Sequence, residues 1–120
     1  MEQHLPGGLV TAAVQIGDTV HRRPSPNAGF VHDLLAHLEC HGWDGAPRYL
    51  GMDAEGREVL SFLEGHVAWA SAQPAAVHAD QSLAGVAQLV RRFHDLTAGT
   101  PLAGGTEVVC HNDLSPRNTV

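Results

Sequence analysis

Two stretches of this 120-residue chain repeat apolar residues at the spacing of an α-helix, and glycine and proline cut everything else into short pieces. In "AGFVHDLLAHLECHG", Phe30, Val31, Leu34, Leu35 and Leu38 fall on one face, with Asn27 as the expected N-cap and Gly42 as the closing glycine. In "QSLAGVAQLVRRFHDLT", residues 81–97, Leu83, Val86, Val90 and Phe93 recur in the same way, with Leu89 or Leu96 extending the stripe. The remaining segments suit strands. "AAVQI" and "TVHRR" flank the two-residue turn Gly17-Asp18, and Arg48–Gly51 and Glu58–Phe62 flank the turn "DAEG". Residues 66–80 read as an alanine-rich connection, and Glu107–Cys110 as a last strand. The order predicts an α+β fold: an antiparallel sheet with one helix packed on it, then further chain.

Composition narrows the function classes. Hydrophobic residues make up 43% of the chain, which is the content of a folded domain. The net charge of -6, with no basic stripe, argues against a nucleic-acid partner. No apolar run approaches a membrane span, and "MEQHLPGG" lacks the basic-then-apolar order of a secretion signal. The expectation is no membrane partner and a cytoplasmic location. Two cysteines, Cys40 and Cys110, form no disulfide framework and read as small buried thiols.

The chemistry-bearing stretch is "CHNDLSPRN". His111, Asp113, Leu114 and Asn118 match the pattern H-x-D-L-x-x-x-N. The spacing suits phosphoryl transfer, because a carboxylate can take a hydroxyl proton while an amide five residues on reaches a magnesium ion. His111 reads as a hydrogen-bonding brace for the loop.

With Ser115 beside it, this loop resembles that of the aminoglycoside phosphotransferase and choline kinase family. The resemblance implies a protein-kinase-like N-lobe, residues 1–64, followed by the first part of a helical C-lobe, residues 65–120, truncated after the catalytic loop. It implies Asp113 as catalytic base and Asn118 as magnesium ligand. "LPGGLVTAAVQIGDTVHRR" resembles the family's glycine loop and first hairpin, with Gly7, Gly8 and Thr11 at the phosphates. "VLSFLEG" resembles its hinge, with backbone groups of Ser61 and Leu63 at adenine. The implied cofactors are ATP or GTP with magnesium, and the implied acceptor is a small-molecule hydroxyl.

The chain departs from that pattern in three ways. It contains no lysine, so Arg22 or Arg23 would have to hold phosphate, and strand alternation favours Arg22 on the cleft side. The helix residue that would pair with that cation is His32 or Asp33. The family's carboxylate for the main magnesium, which lies downstream of the catalytic loop, has no counterpart. These departures leave an inactive remnant, a nucleotide-binding module, or one half of a split enzyme whose missing lobe comes from a separate chain, and little activity is expected of these 120 residues alone.

The other polar signals are bland. The Cys-His pairs at 40–41 and 110–111 offer no convergent metal ligands, and His94-Asp95 diverges on a helix. Trp43 and Trp69 are expected to cover apolar surface.

Overall fold

The computed structural model describes residues 1–5, 12–68, 72–115 and 119–120. The chain divides into two compact units, Met1–Glu64 and Gly65–Val120. Among the described residues its class is α+β, a five-stranded antiparallel sheet plus two α-helices.

The first unit holds the whole sheet. Its strands are β1 (Glu2–His4), β2 (Val14–Ile16), β3 (Thr19–Arg22), β4 (Tyr49–Met52) and β5 (Glu58–Ser61), in the order β1-β2-β3-β5-β4. The hairpin β2–β3 turns at Gly17, whose φ of 61° is the left-handed conformation glycine allows. The expected hairpin at "DAEG" also forms. Asp53 Oδ1 accepts the amides of Glu55 and Arg57 at 2.9 Å each, which folds the turn around its own side chain. Strand β1 was not anticipated. Its three residues are all exposed and carry no apolar alternation, so only pairing with β2 makes them a strand.

Helix α1 spans Ala28–Cys40 and packs on the sheet through Leu35 and Leu38. It ends as expected at Gly42: the Trp43 amide donates to the Leu38 carbonyl and the Gly42 amide to that of Glu39, the paired bonds of a Schellman motif. Its start differs. Asn27 occupies the N-cap position but makes no capping bond, because its Oδ1 accepts the Ser25 hydroxyl instead. Phe30 is also corrected: it stays 42% exposed, whereas Leu35 and Leu38 of the same stripe are buried.

The second unit contains a 3₁₀ turn at Ala75–His78, helix α2 (Asp80–Thr97) and a further 3₁₀ turn at Pro101–Ala103. Its core lies at the C-terminal end of α2, where Leu96, Thr97, Ala103 and Val109 are buried. The strand expected at Glu107–Cys110 is absent. A strand needs a ladder partner; the Val109 amide instead donates to Thr97 Oγ1 at 3.0 Å. Both cysteines are free and exposed, so the expectation of buried thiols is corrected. Among the described residues, no helix is long and apolar enough to cross a membrane.

Candidate functional site

Sheet alternation places Arg22 opposite Glu58, with both residues on the face covered by α1. Glu58 is a carboxylate only 3% exposed. Arg22 Nε donates to its Oε1, and His32 Nε2 donates to its Oε2 at 2.6 Å. The His32 ring stacks on Tyr49 with centroids 3.8 Å apart and planes within 9°. Burial pushes the Glu58 carboxyl up, but the His32 and Arg22 hydrogen bonds outweigh it and hold the group below its ordinary value. The structure thus selects Arg22 over Arg23, and His32 over the exposed Asp33, as the residues on the covered face. Both side chains meet a strand glutamate that the sequence did not single out. A glutamate at an inward position of a strand was the available signal.

The opposite face carries a second polar network. His21 Nδ1 donates to Asp53 Oδ2 at 2.8 Å, and His21 Nε2 lies 3.0 Å from Thr19 Oγ1. That sequence of atoms has the connectivity of a nucleophile, base and orienting acid. The Thr19 hydroxyl, however, donates to the Ile16 carbonyl at 2.8 Å, so it has no proton to offer the imidazole. Arg57 closes the network with bonds to Asp53 at 2.8 Å and Glu2 at 2.9 Å. The His21 hydrogen bond is the largest influence on Asp53 and, with those from Arg57 and Glu55, holds its carboxyl far below the usual range. The arrangement ties β1, β3 and the β4–β5 turn together.

The remaining expected site residues are dispersed. Ser61 lies on β5, its amide donating to the Arg48 carbonyl at 2.9 Å and its hydroxyl accepting the Arg48 amide at 2.8 Å. Leu63 follows the strand and is 39% exposed. Gly7, Gly8, Thr11, Trp69 and Asn118 lie outside the described residues. In the second unit Asp113 is exposed, and its amide donates to His111 Nδ1 at 3.3 Å, so the imidazole does brace the loop. Asn112, with φ of 66°, turns the chain just before it. Beside this loop runs a groove of about 860 Å³, walled by Leu83, Val86 and Leu89 of α2 and by Leu114 and Val120. Among the described residues, no three histidine, cysteine or acidic side chains converge on a metal position.

No family model matches the chain, and no solved structure matches it. It is similar to the trifolitoxin immunity protein of Rhizobium leguminosarum bv. trifolii, with 32% identity over 136 aligned positions. The match takes in 97% of this chain and 49% of the relative, so the chain spans about half the length of the curated relative it matches. This overturns the kinase reading. The relative's name specifies immunity to a toxin, and no kinase family is matched. Membership of the aminoglycoside phosphotransferase and choline kinase family, and the transferase and ATP-binding functions read from it, are therefore corrected. Four residues at fixed spacing were a thin basis, and the strand meant to carry them does not form.

Proposed function

We propose that the protein serves in immunity, protecting a cell against a toxin. One observation carries this reading: a third of the aligned residues are shared with a trifolitoxin immunity protein along nearly the whole of this chain. The protective unit is the chain together with further polypeptide, since the relative is about twice the length of the match. Protection through a nucleic-acid backbone is disfavoured by the net charge of -6. Two free, exposed cysteines suit a reducing cytoplasmic compartment.

The test is survival. A trifolitoxin-sensitive bacterium expressing the protein should grow at toxin concentrations that stop the empty-vector strain, as one expressing the Rhizobium relative does. Equal accumulation of the two proteins with protection by the relative alone would refute the proposal.

A further inference from the structure

The second unit has more apolar surface than it uses. Helix α2 carries its apolar stripe along its whole length, but only Leu96 at the C-terminal end is buried. Leu83 is 70% exposed, Leu89 42%, Leu114 49% and Val120 54%, and these residues wall one continuous groove. Among the described residues of Gly65–Val120, by contrast, the buried positions are Ala68, Leu96, Thr97, Ala103 and Val109. Two alanines and three medium side chains are a small described core, and units of this size are marginal even when well filled.

Three of the groove's polar side chains are already engaged. Ser82 Oγ donates to the Ala76 carbonyl at 2.5 Å, Thr119 Oγ1 to the Ser115 carbonyl at 2.8 Å, and His66 meets Gln73 at 2.6 Å. A site for a polar small molecule presents convergent unsatisfied groups; this one presents leucine and valine. Leu83, Val86 and Leu89 give it an apolar wall of the kind on which an amphipathic helix lays its apolar face.

We propose that this groove is an unfinished core that receives an apolar segment of polypeptide, supplied by chain corresponding to the half of the relative outside the match. The relative's length is the reason for choosing that occupant, since as much chain again accompanies the matched region there. The proposal does not depend on the immunity reading.

A fluorescent label tests it. Cys40 and Cys110 are changed to serine and an environment-sensitive fluorophore is attached at Leu89→Cys, an exposed position. The probe is the purified unmatched half of the Rhizobium protein. Saturable blue-shifted emission, weakened at least tenfold by Leu83→Asp, is the expected result. Leu83 is too exposed for that change to unfold the helix, and circular dichroism verifies it. No shift overturns the proposal. So does a shift that depends only on the concentration of the labelled chain, which would identify a second copy as occupant, or one produced by trifolitoxin in place of the polypeptide.

Discussion

His32 on α1 donates a 2.6 Å hydrogen bond to Glu58 on β5, a carboxylate only 3% exposed that also accepts from Arg22 on β3. One buried acid thus joins the helix to two adjacent strands. Removing it leaves two donors facing a cavity. Arg22 is 34% exposed and can turn to water, whereas His32 is 17% exposed and held under Tyr49. Glu58→Ala is expected to cost about 2–4 kcal/mol in urea unfolding. An unchanged midpoint would show that the cluster contributes nothing.

The same carboxylate makes stability depend on acid. Its folded pKa lies below its ordinary value of 4.5, so on acidification the unfolded chain takes up the proton first. Its contribution is fully present above that value and is lost as pH falls through the folded pKa. Asp53 behaves in the same sense from an ordinary value of 3.8. Urea midpoints should hold steady from neutrality to about pH 5 and then fall, and Asp53→Asn should flatten the lower part of that fall. A fall of equal depth in the variant would assign the acid sensitivity to other groups.

Thr97 is fully buried, and its hydroxyl donates to the Phe93 carbonyl at 3.1 Å while accepting the Val109 amide at 3.0 Å. Thr97→Val keeps the shape but strands that amide. The expected loss is about 1–3 kcal/mol, and hydrogen exchange at Val109 should speed up by more than tenfold. Unaltered exchange would mean that the amide is protected by something else.

Leu38 and Phe30 belong to one apolar stripe in the sequence, yet Leu38 is 2% exposed and Phe30 42%. Leu38→Ala should cost about 2–5 kcal/mol, and Phe30→Ala less than about 1 kcal/mol. Equal costs would mean that Phe30 is covered in solution.

Gly42, at φ of 67°, is where α1 leaves the helical path. Gly42→Ala should destabilise the chain by about 1 kcal/mol, read from the thermal midpoint. A gain in stability would show that the helix end relaxes without strain.

Much of the fold was legible because its signals are local. Apolar spacing located α1 and α2 to within a residue or two, and Gly17, Gly42 and the Asp53 turn each sit where their side-chain chemistry requires. The candidate site was less legible. His111 bracing Asp113 spans two residues and could be read directly. The Arg22–Glu58–His32 cluster joins positions 36 and 26 residues apart, and only the pairing of β3 with β5 brings them together.

The sequence by itself determined the helices, the turns and the α+β class, since periodicity and turn chemistry act over a few residues. Tertiary structure alone decided the rest. Pairing with β2 made Glu2–His4 a strand, and the lack of a ladder partner left Glu107–Cys110 without one. Packing buried Leu96 and left Leu83 in solvent on the same helix face. Pairing and burial are properties of neighbours distant in the chain, and no local pattern specifies which neighbours arrive.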